Sequence, residues 1–318
     1  MKTVFVINPK AGQGKVTEKL IDSIKKITEE NGFDTEIYTT KAVGDAEVFV
    51  KNYCNTNGPA RFIACGGDGT LCEVANGIMG CDGAQAGVIP MGTGNDFCRN
   101  FSDHCDFFNV EAQITSEAEK CDIIRYTTAL DGKTIVRYGV NMFNIGFDCN
   151  VADMTTNMKK KPFVSGHMAY LLSIFVTLIK KKGANLKIEL DGKTVHSGPL
   201  LLCALANGVF CGGGVKSNPR ASLHDGMIDI NIVRNVTRTK FITLLPHYIK
   251  GNHINLEGID HIITTTKSKK VTITPIEGKM RICVDGEIAD ATKIEFEVVN
   301  SAFSFVVPDK KTSKVYAK

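Results

Sequence analysis

The chain has 318 residues, 43% of them hydrophobic and 23% charged, enough for a buried core and for two domains of ordinary size. A net charge of only +4 argues against a polycationic nucleic-acid binder, and no nucleic-acid partner is expected. The eleven cysteines form no CxxC pair and sit mostly in apolar runs, such as Cys65 in RFIAC and Cys203 in LLLCALA, the usage of reduced thiols in a cytoplasm. The seven histidines are scattered singly and support no zinc site.

The first residues turn polar too early for a signal peptide. Residues 3–8 (TVFVIN) then read as a strand, and residues 16–30 as a helix with Leu20, Ile21, Ile24 and Ile27 at helical spacing. Residues 34–40 are a second strand and 45–53 a second helix. RFIAC (61–65) and AGVIP (86–90) are further strands, each followed by a glycine turn and a helix candidate. Continuous apolar strands alternating with amphipathic helices predict a parallel sheet covered on both faces, with ligands at the carboxyl ends of its strands.

From about Lys120 the pattern changes to strand candidates broken by turn residues: 121–130, 133–147, LKIELDGKTV, PLLLCALANG, MIDINIVRNV, KKVTITPI, MRICVDGEI and TKIEFEVV. Asp131-Gly132 and Asp191-Gly192 are hairpin signals. Helical stretches are expected at 166–181 and 238–250. The apolar run 169–179 is too short for a spanning helix, so it is either a core helix or an interfacial helix whose flanking lysines, Lys159 to Lys161 and Lys180 to Lys182, meet anionic headgroups. Lys267, Lys269 and Lys270 form a third basic run, read as a solvated face or an anionic-surface contact. The expected fold is α/β: a parallel-sheet domain over 1–125, with 300–318 a candidate for completing it, and a mostly antiparallel β-sandwich domain over 126–299.

Three turns carry chemistry. Asn8-Pro9-Lys10-Ala11-Gly12-Gln13-Gly14-Lys15 fails both the P-loop and the dinucleotide patterns, leaving either an anion-binding helix start or a plain tight turn. Gly66-Gly67-Asp68-Gly69-Thr70 follows a strand directly, and Thr70 with Glu73 has the spacing of a capping box. An aspartate among glycines beside a triphosphate either shares a magnesium ion with it or accepts the proton of the attacking hydroxyl. Pro90-Met91-Gly92-Thr93-Gly94-Asn95-Asp96 is a second glycine turn at the same sheet edge, in which Asn95 or Asp96 can cap the next helix. A composite phosphate site is the simplest explanation of the pair.

Asn8-Pro9-x-x-Gly12, Gly66-Gly67-Asp68-Gly69-Thr70 and Pro90-x-Gly92-Thr93-x-Asn95-Asp96, in this order, resemble the catalytic domain of diacylglycerol and sphingosine kinases. Asn144-x-Gly146-Phe147-Asp148, residues 219–229 (PRASLHDGMID) and Asp285-Gly286-Glu287 resemble the second half of the bacterial lipid kinases of that family, so the likeness spans nearly the whole chain. It implies ATP and Mg²⁺ in a cleft between an α/β domain and a β-sandwich lipid-substrate domain. NAD kinases and phosphofructokinases are similar only at the glycine–aspartate turn.

Carried over by position, the resemblance implies nucleotide contacts at Asn8, Pro9, Lys10, Ala11, Gly12, Thr40, Gly66, Gly67, Asp68, Gly69, Thr70 and Glu73, and in the third turn at Gly92, Thr93, Asn95 and Asp96. Ala11 departs from the serine frequent in the family. The resemblance further implies a structural Mg²⁺ at Ser222, Asp225 and Met227, and Glu287 with Asp285 as the catalytic base, Asp68 being the other catalytic carboxylate. Read locally, Asp285-Gly286 and Asp225-Gly226 are equally ordinary turn signals. The expected activity is transfer of the ATP γ-phosphate to diacylglycerol or a similar lipid alcohol, by a cytoplasmic protein peripheral at the membrane. A sphingoid base or NAD as acceptor, or a non-catalytic lipid- or nucleotide-binding relative, are the rival readings, and homodimerisation is left open.

Overall fold

The computed structural model describes residues 1–101, 104–130, 133–146 and 183–308. They form two compact units, Met1–Asp122 with the chain from Ser301 onward, and Ile123–Asn300. The helix expected at 166–181 with its flanking lysines, the Asp131-Gly132 turn, Phe147 and Asp148 lie outside the described residues.

The first unit runs β1 (Thr3–Ile7), α1 (Lys15–Asn31), β2 (Thr35–Thr39), α2 (Asp45–Asn57), β3 (Arg61–Gly66), α3 (Asp68–Ile78), β4 (Gln85–Pro90) and α4 (Val110–Thr115). Strand β5 (Ala118–Leu130) leads into the second unit, which holds β6 (Lys133–Gly139), β7 (Met142–Gly146), β8 (Ala184–Leu190), β9 (Lys193–Leu200), β10 (Leu202–Ala206) and β11 (Ile228–Val233). There follow α5 (Arg238–Lys250), β12 (Ile263–Ser268), β13 (Lys270–Pro275), β14 (Met280–Val284) and β15 (Glu287–Ala291), and β16 (Ile294–Val306) leads back to the first unit.

In the first unit the order is β2-β1-β3-β4, all parallel, and β16 joins β4 in parallel through Phe305 and Ala86. Successive strand residues point to opposite faces, so both faces need a cover. Phe5, Ile7, Ile63, Cys65 and Ile89 pack under Leu20, Ile24 and Ile27 of α1. On the other face Phe62 meets Tyr53 of α2 edge-on, and α2 lies so close to α3 that a Cβ at Gly77 would sit 2.7 Å from Val50.

The second unit is antiparallel in two layers. One layer contains β13, β8 and β9 with the first part of β16, and the other has the order β12-β11-β10-β7-β14-β15. Ile188, Ile273 and Phe296 from one layer interdigitate with Phe143, Ile145, Leu205, Ile230 and Ile282 from the other. The outer face of the six-stranded sheet is covered by Phe241 of α5 and by Ile259. Asp191 and Gly192 both take positive φ, 46° and 83°, joining β8 to β9 as the expected tight hairpin.

Three local expectations change. The run 133–147, read as one strand, is broken between β6 and β7, because the amides of Val140, Asn141 and Met142 turn to the Asp285 carboxylate instead of a ladder partner. TKIEFEVV runs on without a break into residues 302–306 as one strand, β16, with a left-handed residue at Ser301 (φ 53°). Strand β12 was not anticipated, although its β-branched ITTT is the usual signal for a half-buried strand. Among the described residues no helix is long and apolar enough to cross a membrane.

Candidate active site

Because β1 to β4 are parallel, their carboxyl ends share one edge, and the three glycine turns and Thr40 all leave from it. Asn8 stitches the first turn together. Its Oδ1 accepts the Lys10 amide at 3.0 Å, its carbonyl accepts the Ala11 amide at 3.1 Å, and its Nδ2 donates to Thr70 Oγ1 at 3.3 Å in the second turn. The second and third turns touch backbone to backbone: a Cβ added at Gly92 would stand 2.6 Å from the Gly67 Cα. No side chain fits there, which explains both glycines.

Asp68 joins the same two turns by charge. Its Oδ2 accepts the Asn95 amide at 2.7 Å and its Oδ1 the Asp96 amide at 2.8 Å, with Phe97 N at 3.5 Å. Burial pushes its carboxyl above the usual range, while these amides pull the other way. Asn95, at φ 52°, folds the third turn on itself: Gly92 N donates to its Oδ1 at 3.0 Å, and its Nδ2 donates to the Gly92 carbonyl at 2.8 Å. Asp96 is buried beside Arg99, whose Nε lies 3.7 Å from its carboxylate. The element after Asn95 and Asp96 is a single 3₁₀ turn, Cys98–Asn100.

The capping-box reading of Thr70 and Glu73 is corrected. Helix α3 begins at Asp68 behind an extended Gly67, so Thr70 lies inside the helix. Glu73 reaches instead to the start of α2, accepting the Gly44 amide at 2.9 Å and the Ala46 amide at 3.1 Å. A carboxylate at that helix N-terminus satisfies two orphan donors and complements the dipole. It also fixes the loop after Thr40, whose own amide is held by the Ile7 carbonyl at 2.8 Å. The edge therefore has Lys10 and Thr93 exposed, Pro9, Ala11, Gly12 and Gly69 half-buried, and two helix starts, at α1 and α3, close by. Backbone N–H groups at glycine turns and a helix N-terminus are suited to phosphate oxygens.

In the second unit Asp285 (φ 46°) and Gly286 (φ 96°) form the turn between β14 and β15. The Asp285 carboxylate accepts the amides of Val140 at 2.8 Å, Asn141 at 3.1 Å and Met142 at 2.8 Å. Glu287, two residues on, opens β15 and is exposed. Asp285 is thus bound into the backbone, whereas Glu287 faces outward.

In the loop at Ser222 to Met227, the Met227 amide donates to Asp225 Oδ1 at 3.1 Å and the His224 amide to Ser222 Oγ at 3.3 Å. Lys267 Nζ stands 2.6 Å from Asp225 Oδ2 and 3.8 Å from the buried Asp229 Oδ2. As arranged, the Lys267 ammonium occupies the position of a cation at the Asp225 carboxylate, so a magnesium ion at Ser222, Asp225 and Met227 would have to displace it. Lys267 was read as part of a surface run, and Lys270 likewise pairs with Glu297 at 3.0 Å. The missed signal for Lys267 was register, because it stands directly opposite Asp229 in the β11–β12 pair.

Residues 2–126 match the family model described as the diacylglycerol kinase catalytic domain, and residues 141–307 the one described as the YegS C-terminal NAD kinase beta sandwich-like domain. The chain is 30% identical over 316 residues to a diacylglycerol kinase of Bacillus subtilis (strain 168), covering 98% of each chain. It is similar in fold to the crystal structure of a diacylglycerol kinase from Bacillus anthracis str. Sterne, with a TM-score of 0.68 at 21% identity and 96% of each chain covered. Yeast NADH kinase complexed with NADH has a more distant likeness, with a TM-score of 0.52 at 11% identity, covering 100% of this chain and 90% of that one. The likeness runs through both units at near-full length, and the chain belongs to the diacylglycerol kinase family.

Proposed function

We propose that the chain is an ATP-dependent lipid kinase that transfers the γ-phosphate of ATP to the hydroxyl of diacylglycerol or a similar lipid alcohol. The observation that carries this reading is the convergence of three glycine turns on one sheet edge, with Asp68 and Asn8 bonding them to each other. Such an edge holds a polyphosphate by amides that need no rearrangement during transfer. Lys10, Thr93 and the α3 start would bind the nucleotide, with Glu73 keeping the Thr40 loop in place. Magnesium enters as part of the nucleotide substrate, neutralising its phosphates.

Glu287 is the proposed acceptor of the lipid hydroxyl proton, because it is exposed at the start of β15 next to a turn whose Asp285 is bound to three backbone amides. Asp285 is its positioning residue. A lipid substrate also implies transient docking of the protein at the cytoplasmic face of an anionic membrane.

Incubation of the pure protein with γ-labelled ATP, magnesium and either diacylglycerol, sphingosine or NAD tests the reading. Label entering the organic phase with diacylglycerol is expected. Label on NAD alone, or label released only as free phosphate, would overturn it.

A further inference from the structure

In the second unit β12 presents Ile263 and Thr265 on one side, and two single-turn helices, His253–Asn255 and Ile259–His261, follow α5. Among these elements and the chain at Arg220 lies a solvent-open surface hollow of about 160 Å³, lined by Arg220, Ile254, Ile259, Asp260, Ile263 and Thr265. The hollow is open to solvent and has room for several waters or a small solute. Ile259 and Ile263 are buried and give it an apolar wall.

Arg220 and Asp260 are both exposed, carry opposite charges and line the same hollow, yet they form no ion pair with each other. Among the described residues neither the guanidinium nor the Asp260 carboxylate has a hydrogen bond or ion pair, although the Arg220 charge reaches the buried Asp229 through space. Their main chains are held in place separately. The Arg220 carbonyl accepts Lys267 Nζ at 2.9 Å, and the Asp260 carbonyl accepts Arg234 Nη1 at 3.1 Å. The Thr265 hydroxyl gives its proton to Asn231 Oδ1 at 2.8 Å, which leaves its oxygen to act as an acceptor.

We infer that this hollow binds a small zwitterion, an ammonium and an anionic group joined by a short aliphatic segment. The guanidinium fork takes the phosphate or carboxylate, Asp260 and Thr265 Oγ1 take the ammonium, and the isoleucines take the aliphatic part. Free phosphoethanolamine and the headgroup of phosphatidylethanolamine share this chemistry. The site shares no residue with the glycine turns and does not depend on the kinase reading.

Calorimetric titration of the full chain with phosphoethanolamine tests the inference, with inorganic phosphate and ethanolamine as half-molecule controls and phosphatidylethanolamine vesicles as the lipid arm. Saturable binding at least tenfold tighter than either half is expected in one arm or both. Arg220→Gln and Asp260→Asn should each weaken it at least tenfold while leaving the melting temperature and kinase activity unchanged. Binding confined to the vesicle arm, and lost in both variants, identifies the source as the lipid headgroup. Absence of binding in both arms, equal binding of phosphate alone, or wild-type affinity in either variant would overturn the assignment.

Discussion

Asp68 in the first unit and Asp285 in the second make the same contact by different means. Each carboxylate gathers amides from three consecutive residues of a distant segment, Asn95 to Phe97 in one case and Val140 to Met142 in the other. Asp68 does so at the first residue of a helix, in a place so enclosed that burial pushes its carboxyl up. Asp285 does so from a two-residue hairpin turn, with the exposed Glu287 immediately beyond it. An aspartate in a glycine turn looks like chemistry in either sequence, yet in both places the carboxylate holds another stretch of main chain. In the second unit the anchor, Asp285, and the exposed carboxylate, Glu287, are separate residues. In the first the anchor, Asp68, lies within the glycine turn itself and holds the neighbouring turn through Asn95 and Asp96.

The largest effect that tests this division is on Glu287. Glu287→Gln should lower kcat by ~10²–10⁴-fold with ATP affinity and melting temperature retained. Loss of ATP affinity alone would show that the two regions had been assigned the wrong way round.

Acid should separate the units next. His253 is fully buried against the Tyr248 ring, and burial pulls its imidazole down to about 4. Above pH 6.5 it is neutral both folded and unfolded and contributes nothing. As pH falls from 6.5 to about 4 the unfolded chain takes up a proton that the folded one refuses, so about 3 kcal/mol of stability is lost. Asp68 has the opposite sign: its raised folded pKa makes protonation favour the fold as pH drops toward 3.8. Asp229, raised by burial as well, partly offsets His253 in its own unit. Hydrogen exchange across this range should show the second unit loosening first, and His253→Phe should flatten that loss. Earlier opening of the first unit would break the comparison.

Asp285→Ala should cost about 2–3 kcal/mol, measured by urea denaturation, because amides of the β6–β7 break lose their acceptor. Activity should fall with it as the turn under Glu287 loosens. The smallest effect on stability, about 1–2 kcal/mol, is expected from Asp68→Asn, which keeps one acceptor but aims an N–H₂ donor at a backbone amide. Its KM for ATP should rise as the third turn shifts. A fall in kcat with KM and stability unchanged would give Asp68 a direct part in the reaction.

The first unit was more legible in the sequence than the second because its signals are local. Short apolar strands running straight into glycine turns fix the parallel sheet edge, and the Asp191-Gly192 hairpin is equally local. What Glu73 binds could not be read, because its partners at Gly44 and Ala46 come from the neighbouring helix while its spacing from Thr70 imitates a cap. Lys267 was hidden for the same reason, since its partner is set by strand register. The break at Val140 was illegible because its cause, Asp285, lies some 145 residues along the chain. Glu287 was singled out by family resemblance, and no feature of its hairpin alone distinguishes it from other exposed strand residues.

The first unit is built from both ends of the chain, and this has a consequence for synthesis. Phe303, Phe305 and Val306 are fully buried, and Phe305 stacks among Phe97, Phe101 and Phe107. On the ribosome those three earlier rings emerge long before β16 exists, and at ~5–20 residues per second they wait roughly ten to forty seconds for it. Throughout that interval the nascent first unit has an aromatic cluster lacking its cover, while the entire second unit is translated in between. The core of the first unit therefore waits for residues 301–306, and a messenger truncated shortly before codon 301 would leave that core without Phe303, Phe305 and Val306.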